Sequence, residues 1–528
     1  MLNALARMAI DHWIFLLVIA IAVIFRRSLR FEQPQSKLLT IFERDRVALT
    51  LVIAISLLVS ITSGWLHGMP LPHYHDDYGY LLDADTFVHG RLSNPPHPLW
   101  PHFETIHVLV LPRYVSKYEV GQGLMFAAGT KFLGHPARGG WIVAAMACAA
   151  VWWALRVWTT PSLALLGGIA TAIHPTMLNW TESYHNGQLA ALAGALMLAA
   201  AGRLRTKPSW QMSVVLGVGV VILANNRPFE GLVLCVGIGM LLLRQLIVRV
   251  APAGLVVVAA GLGFIAFHNH VITGNAFLLP FSLYEQQYDP VPTFLWQKAR
   301  PIPDYRNAEL AHVYEDQYLA HYREVHGRGG LVKATLEKIR VIDNALFGPA
   351  NLPNPRPLFL LLLIAAVPLL REDHNSRLLA LVLLIFAFAP LSIGGWMQSH
   401  YVGPAVAAGV CLMMLLVRRL FVASPLLATA VLVLFFANSG LMWFWVQTPD
   451  VGFETKRRAI AESLLARGGH HLIIVAPDVF DAVYNVADLN GAPIVWAHDL
   501  GAAPNARLIA YYRDRGIWYL SRTGLRRY

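Results

Sequence analysis

The chain is poor in charged residues: Asp, Glu, Lys and Arg make up only 14% of its 528 residues. Soluble globular domains carry about a quarter charged residues, so this deficit indicates a membrane protein. Cysteine is also scarce. Cys148, Cys235 and Cys411 each fall inside an apolar run, which favours buried packing over a disulfide framework or a thiol catalyst. No small-residue cleavage site follows the apolar N-terminal stretch, so we expect it to be retained as a span.

What the chain has instead is apolar sequence, with 56% hydrophobic residues and a mean hydropathy of +0.50. Long apolar runs recur, and most of them end at Arg, Lys or Pro, as in polytopic helical membrane proteins. The pattern predicts an all-α polytopic membrane protein with about 12 transmembrane helices. The predicted spans lie near residues 10–25, 47–66, 140–157, 162–177, 187–202, 211–225, 229–243, 252–268, 357–370, 378–393, 402–417 and 424–446.

The formal charge of +11 does not indicate a nucleic-acid partner. The basic excess lies in short links between spans, where the cytoplasmic loops of membrane proteins collect Lys and Arg. If the links that contain Arg203, Arg371 and Arg418 are cytoplasmic, the spans alternate without conflict, provided that 118–134 is an interfacial or re-entrant helix. The polar segments on the opposite face are then 67–139, 174–187, 225–231, 269–356 and 394–401.

The sequence divides into three parts. Residues 1–46 form an additional N-terminal span with its cytoplasmic link, and residues 47–446 form a transmembrane core with long loops at 67–139 and 269–356. In residues 447–528 the character changes to a helical pattern, three short strand patterns and a helix before the last strand. We expect a small extracytoplasmic α/β domain there. Its glycines lack the spacing of a nucleotide-binding fingerprint.

Two adjacent carboxylates stand near the start of the polar loop 70–123. Tyr78, Leu82 and Val88 fall on one face of a predicted helix, which places Asp76 and Asp77 at its N-terminus. An ionised carboxylate at that position is suited to act as a general base for an acceptor hydroxyl. The alternative is that both aspartates only cap the helix.

The same segment also fits a metal site of the form H-x-H-D, made by His73, His75 and Asp76. Imidazole and carboxylate groups suit a divalent ion, but the sequence identifies no distant ligand to complete the set. A divalent metal therefore stays possible, and no cofactor is required.

Three basic residues are candidates for binding a phosphate group: Arg91 and Lys117 in the first loop, and Arg227 in the turn NNRPFEG. A guanidinium pairs bidentately with phosphate oxygens, whereas an ion pair between Arg227 and Glu230 that fixes the turn is the alternative. Polar residues near other span ends are candidates for lining a cleft: Glu182, His185, Glu230, His400 and Tyr401.

These motifs resemble the GT-C superfamily of integral membrane glycosyltransferases, in the branch of protein O-mannosyltransferases and aminoarabinose transferases. That family has an acidic pair early in its first extracytoplasmic loop. Asp76 and Asp77 match it, although Asp replaces the usual Glu at position 77. A lysine-containing element before an interfacial helix is matched by SKYEVGQG, with Lys117 as its lysine and Gly121 or Gly123 as its glycine. Glu-Val replaces the usual prolines of that element.

The resemblance covers roughly residues 47–420 and implies a polyprenyl-phosphate-linked sugar as donor, with an unidentified glycan, lipid or protein as acceptor. It implies that Asp76 assists deprotonation of the acceptor, that the anomeric centre inverts, and that Lys117, with Arg91 or Arg227, stabilises the departing phosphate. It also implies an active site facing the periplasm or exterior of a bacterial inner membrane. The rival hypothesis is a transporter or flippase of a lipid-linked glycan, which should carry polar groups at mid-membrane depth.

Overall fold

A computed structural model describes residues 44–243, 252–347, 369–445 and 453–528. It is mainly helical with a small sheet near the C-terminus, as the sequence predicts. The first ten helices are α1 (Asp45–His67), α2 (His75–Val88), α3 (Val120–Leu133), α4 (Pro136–Trp158), α5 (Pro161–Ala172), α6 (Pro175–Thr181), α7 (Gly187–Thr206), α8 (Trp210–Ala224), α9 (Pro228–Leu241) and α10 (Pro252–Thr273).

The second half of the chain adds further helices, one of them extended by a π-helical stretch. These are α11 (Pro280–Tyr288), α12 (Ala308–Ala311), the π-helical stretch (His312–Leu319), α13 (Ala320–His326), α14 (Gly330–Phe347), α15 (His374–Ser392), α16 (Val406–Ala423), α17 (Pro425–Trp445), α18 (Phe453–Leu465) and α19 (Ala502–Tyr511). Many of the helices in both halves begin at a proline, whose fixed φ suits the first helical position and whose missing N–H would have no partner there.

Six of the described helical segments are long and apolar enough to cross a bilayer: α1, α4, α7, α10, α15 and the segment Ser399–Ala423 that contains α16. The pair α5 and α6, bent by 47°, counts as a seventh if it is one span. Helices α8 and α9, and the stretch Pro425–Ala437 of α17, are shorter apolar segments. The chain is therefore a multi-pass membrane protein. The predicted span 10–25 and most of 357–370 lie outside the described residues, so the total of about 12 spans stays a prediction.

Helix α3 falls where an interfacial or re-entrant helix was expected. It has 14 residues, about 21 Å at 1.5 Å per residue, against a hydrocarbon core of about 30 Å. It packs between α2 and α4. A straight helix of this length is too short to cross.

The centre of the bundle is formed by α4 and α7, which pack closely because their facing residues are small. Ala144, Ala147, Ala190 and Ala193 are all fully buried, and small side chains let helix backbones approach one another in a membrane. Helix α7 is the most enclosed of the candidate spans, with 89% of its apolar window buried. The residues of this core form one continuous cluster.

The C-terminal residues form the small α/β domain that the sequence predicts. Its sheet has the order β4 (Ile494–His498), β3 (His471–Val475), β5 (Gly516–Ser521) and β6 (Gly524–Arg527). The first three strands are parallel, and β6, which the sequence analysis did not predict, pairs antiparallel with β5. A two-stranded hairpin of β1 (Val108–Leu109) and β2 (Val115–Ser116) lies in the first loop.

Candidate active site

A cavity of about 500 Å³ opens where the polar loops of the bundle meet. Its walls come from the start of α2, the loop before α3, the turn before α9, α11 with the residues after it, and the segment before α16. Of the residues predicted from the sequence, those that line it are His75, Asp76, Lys117, His185, Arg227, Glu230 and Tyr401. All five polar segments that were expected on one face of the membrane therefore contribute to one cavity.

The two aspartates at the start of α2 have different surroundings. Asp77 is fully buried, and its Oδ2 accepts hydrogen bonds from the backbone N–H groups of His73 (2.8 Å) and Tyr74 (3.1 Å). The bond from Tyr74, the N-cap residue, is the half of a capping box in which the third helical residue bonds back to the N-cap N–H. Burial raises the pKa of Asp77. Of the two sequence-based alternatives, the helix cap describes the geometry of Asp77.

Asp76 instead lines the cavity, and only one of its oxygens is held by the protein. Oδ1 accepts a hydrogen bond from the Tyr118 hydroxyl (2.6 Å) and lies 2.7 Å from Nδ1 of His107. Oδ2 makes no hydrogen bond to any residue that the structure describes, and the side chain is 25% exposed. One oxygen is therefore anchored while the other stays available to a ligand.

The neighbours of Asp76 also set its charge. Burial alone would raise its pKa, but His107, Lys117 and Tyr118 outweigh burial and hold the pKa well below its usual value. Burial and the nearby Lys117 lower the pKa of His107 to about 3. At neutral pH the pair therefore consists of an ionised carboxylate and a neutral imidazole, which donates its Nδ1–H to Asp76.

His107 is itself fixed in an uncommon backbone conformation. Its φ is +66°, in the left-handed region that non-glycine residues seldom adopt. Its N–H donates to the Tyr284 hydroxyl (2.8 Å), and its carbonyl accepts from the N–H of Lys117 (3.1 Å). Backbone outliers of this kind cluster at functional sites, where surrounding contacts hold them. The imidazole therefore has a fixed position from which to orient Asp76.

Lys117 brings a buried positive charge to the cavity. Its side chain lies 4.8–5.2 Å from the ring centroids of Tyr118, Phe281 and Tyr284, and Nζ makes no hydrogen bond or ion pair with any described residue. Burial lowers its pKa, while the carboxylates of Asp76 and Asp289 raise it. A buried ammonium without a paired anion is costly, so this position favours binding of a negatively charged group.

Arg227 makes the ion pair with Glu230 that was one of its two sequence-based alternatives. Its Nε pairs with Oε1 of Glu230 at 3.0 Å, and its guanidinium lies 3.9 Å from the centroid of the Tyr401 ring. Its Nη2 is buried without a hydrogen-bond partner among the described residues. The ion pair with Glu230 thus exists, and Nη2 of the same guanidinium is left without an acceptor in the described part of the chain.

The glycines of SKYEVGQG explain how these segments come together. A Cβ on Gly121 would lie 2.5 Å from the carbonyl oxygen of Asn225, and the Gly121 N–H donates to that oxygen at 2.8 Å. A Cβ on Gly123 would lie 2.5 Å from Cβ of Asp83 in α2. Between the two glycines, Gln122 donates to the carbonyl oxygen of His185 at 2.8 Å. Both candidate glycines therefore serve packing at the site.

Other predicted residues lie beside the cavity or away from it. His400 stacks between His185 and Tyr401, with centroid distances of 4.8 and 4.9 Å, so it supports two cavity residues from behind. Glu182 faces His67 at 3.5 Å and is not part of the cavity wall. Arg91 follows the far end of α2 and is also outside it, so the structure does not bring Arg91 to Lys117 and Arg227.

The structure does not bring His73, His75 and Asp76 together as a set of metal ligands. His75 hydrogen-bonds the Tyr484 hydroxyl at 2.7 Å through Nδ1, while Asp76 contacts His107. Across residues 44–243, 252–347, 369–445 and 453–528, no group of three or more His, Cys, Asp or Glu residues is arranged to hold a metal ion.

Several cavity residues were not selected from the sequence. Glu119, noted there only as a departure from the family motif, lines the cavity, and burial raises its pKa to about 7. Asp289, at the end of α11, also lines it, and burial raises its pKa to about 6. Trp396 stacks on His321 with centroids 4.4 Å apart. Asp289 and His321 lie in the second long loop, which was expected on this face. Nothing in the sequence of that loop indicated these two positions.

Comparison with known proteins gives distant similarities of overall structure. No family model matches the chain, and no curated protein matches it by sequence. The structure of ArnT from Cupriavidus metallidurans bound to undecaprenyl phosphate is 12% identical over 85% of both chains, with a TM-score of 0.47. The apo state of the same protein is 11% identical over 89% of this chain and 92% of that one, with a TM-score of 0.49.

An oligosaccharyltransferase from Archaeoglobus fulgidus in the apo form is also similar, at 12% identity over 82% of this chain and 62% of that chain, with a TM-score of 0.38. It and ArnT are members of the GT-C superfamily, which the sequence motifs also resemble. At this distance the similarity does not define a reaction.

Proposed function

We propose that this chain is a membrane glycosyltransferase that moves a sugar from a polyprenyl-phosphate-linked donor to an acceptor hydroxyl. The observation that carries the proposal is the meeting of three groups in one cavity. These are the carboxylate of Asp76, with one oxygen unengaged, and the cations Lys117 and Arg227, each with N–H groups that no described residue accepts. A base and a site for a departing anion are the two requirements of this reaction.

In the proposed reaction, the acceptor oxygen attacks the anomeric carbon of the donor sugar. The new C–O bond forms as the bond from that carbon to the phosphate oxygen breaks, and the electron pair leaves with the polyprenyl phosphate. The acceptor proton passes to Oδ2 of Asp76, which is already ionised at neutral pH. Lys117 and Arg227 stabilise the negative charge that develops on the phosphate. A single displacement of this kind inverts the anomeric centre.

The donor class is supported by the membrane setting and by the motif resemblance, in which Asp76 and Lys117 match the acidic pair and the lysine. A guanidinium and an ammonium are the groups that proteins use to bind phosphate oxygens. In this proposal the cavity lies on the extracytoplasmic face of a bacterial inner membrane. The acceptor is a hydroxyl on a glycan, a lipid or a protein.

The test is transfer of labelled sugar from polyprenyl-phosphate donors in membranes that contain the wild type, Asp76→Asn or Asp316→Asn at matched expression. Asp76→Asn keeps the size of the side chain and removes the base, so transfer should fall at least about 100-fold. Asp316 is 70% exposed in the second loop, and its substitution should leave the rate unchanged.

Equal transfer by Asp76→Asn and the wild type would show that Asp76 is not the base. If no donor in the panel yields product with the wild type while a lipid-linked glycan crosses the bilayer, the flippase hypothesis replaces the glycosyltransferase.

A further inference from the structure

The C-terminal domain packs against one face of α2, the helix whose first turn carries Asp76. The residues on this face have the spacing i, i+3, i+7 and i+10, which keeps them on one side of a helix. They are His75, Tyr78, Leu82 and Asp85. On another side of the same helix, Asp83 packs against Gly123 of α3. Helix α2 therefore lies between the membrane core and the C-terminal domain.

The closest contact between the C-terminal domain and α2 is made by Tyr484, in the loop that follows β3. Its hydroxyl hydrogen-bonds Nδ1 of His75 at 2.7 Å, and its ring stacks on Tyr78 with centroids 3.8 Å apart and planes 3° apart. Its carbonyl accepts a 2.7 Å hydrogen bond from Arg457. Arg457 also pairs with Glu454 at 3.3 Å, and Glu454 accepts a hydrogen bond from the Tyr78 hydroxyl. Tyr484 is thus fixed from its own domain while it holds α2.

The contacts continue along the helix. Leu82 belongs to an apolar cluster that also contains Leu472 and Ile474 of the C-terminal sheet. One turn further on, Oδ2 of Asp85 accepts a hydrogen bond from the N–H of Ala487 at 2.7 Å. The domain therefore contacts α2 from its first residue to Asp85 rather than at a single side chain.

We propose that the C-terminal domain is a positioning module for α2, in which Tyr484 holds the first turn of the helix and so keeps Asp76 against His107 and Tyr118. This inference rests on the proposed function, since it assigns a role to a residue behind the proposed base. Tyr484 does not line the cavity, so it acts through His75. Small displacements of a reacting group have large effects on rate, about 100-fold for 1 Å in unfavourable cases.

The experiment compares Tyr484→Phe and Tyr511→Phe with the wild type in the full-length protein. Tyr484→Phe keeps the stacked ring and removes the hydroxyl that hydrogen-bonds His75. Tyr511, in the same domain, is 43% exposed, and its hydroxyl contacts only Asn490 among the described residues. Two quantities are measured: hydrogen exchange of the amides in the first turns of α2, and kcat and KM for transfer from the lipid-linked donor.

We expect faster exchange in α2 and a kcat about fivefold lower in Tyr484→Phe, equivalent to about 1 kcal/mol for one neutral hydrogen bond. KM for the donor should not change, since Lys117 and Arg227 are untouched. Tyr511→Phe should match the wild type in both measurements. A purely structural role would lower the amount of folded enzyme and leave kcat per folded molecule unchanged.

Unchanged exchange in α2 would overturn the inference, whether or not kcat falls, and so would faster exchange with an unchanged kcat. A wild type that transfers no sugar from any donor would instead overturn the proposed function. In that case the exchange measurement would still decide whether Tyr484 holds α2.

Discussion

His107 is the residue on which the state of Asp76 depends most directly. It contacts Oδ1 at 2.7 Å and shares that oxygen with Tyr118. Its own position is fixed by a left-handed φ and by the backbone hydrogen bond to Tyr284. Because a hydrogen bond to the charged form of an acid lowers its pKa, His107 both orients the carboxylate and favours its ionised state.

Substituting His107 with Phe removes this donor, and we expect two changes in transfer kinetics. The pKa of Asp76 rises toward its usual value, so the acid limb of kcat/KM against pH moves to higher pH. The direction follows because activity needs ionised Asp76 and is lost as pH falls through its pKa. At neutral pH kcat should also fall, by about tenfold, because the carboxylate is less well oriented.

The control for this prediction is His312→Phe, since His312 is 39% exposed and contacts Asp316 in the second loop rather than the cavity. Its pH profile should overlay that of the wild type. An acid limb that stays in place in His107→Phe would mean that the imidazole does not govern the ionisation of Asp76.

Among the secondary-structure elements, α2 and α3 decide whether Asp76 reaches its partners. They approach so closely that a Cβ on Gly123 would lie 2.5 Å from Cβ of Asp83 and 2.8 Å from the ring of Phe87. Real side chains do not tolerate such contacts. Cβ of Asp83 is bonded directly to the backbone, so it cannot move aside unless α2 itself moves. Any residue larger than glycine at this position must push the two helices apart.

We therefore expect Gly123→Ala to destabilise the protein by about 1–3 kcal/mol and to lower the transfer rate of the folded fraction. Gly263→Ala is the matched control: Gly263 lies in α10, and a Cβ added to it would have no neighbour within 4 Å. It should be neutral or stabilising by up to about 1 kcal/mol, because Ala has the higher helix propensity. Thermal melting in detergent and transfer rates measure both effects. Equal melting temperatures for the two variants would contradict the close packing of α2 and α3.

The elements themselves were largely predictable because their signals are local. Apolar runs of bilayer length and the short apolar strand segments near the C-terminus each depend on neighbouring residues, and the described part of the chain has helices and strands in those places. Strand β6 was missed because GLRR carries three polar or small residues and is mostly exposed. A strand of this kind is stabilised by its partner β5 rather than by its own sequence.

The site was predictable only in part, because its arrangement depends on contacts between segments that are distant in sequence. The position of Asp76 and Asp77 at a helix start is local, but which of them caps the helix depends on how α2 is rotated against β2 and α3. Glu119 and Asp289 were not selected because their surroundings come from segments far away in sequence. The contact between Tyr484 and His75 spans about 400 residues, and neither residue has a local pattern that indicates it.

On the scale of the whole molecule, the helix bundle has two chemically distinct ends. At one end, Arg156 pairs with Asp45 at 2.9 Å, and Arg419 hydrogen-bonds Glu372 at 2.9 Å. These residues belong to the basic links expected on the cytoplasmic side or stand next to them. At the other end lie the cavity, the two long loops and the C-terminal domain, which meets the second loop where Glu309 accepts a hydrogen bond from the N–H of Asp481 at 2.9 Å.

This arrangement predicts which positions a membrane-impermeant maleimide can reach in intact cells. Asp316→Cys in the second loop and Thr523→Cys in the C-terminal domain are exposed positions at the cavity end, and both should be labelled from outside. Lys207→Cys, exposed at the end of α7 within a basic link, should be labelled only after permeabilisation, because positively charged links stay in the cytoplasm. The unsubstituted chain is the blank: Cys148 and Cys411 are buried, and any labelling of the half-buried Cys235 is measured there. Labelling of Lys207→Cys in intact cells, with protection of the other two, would invert the orientation and place the cavity on the cytoplasmic side.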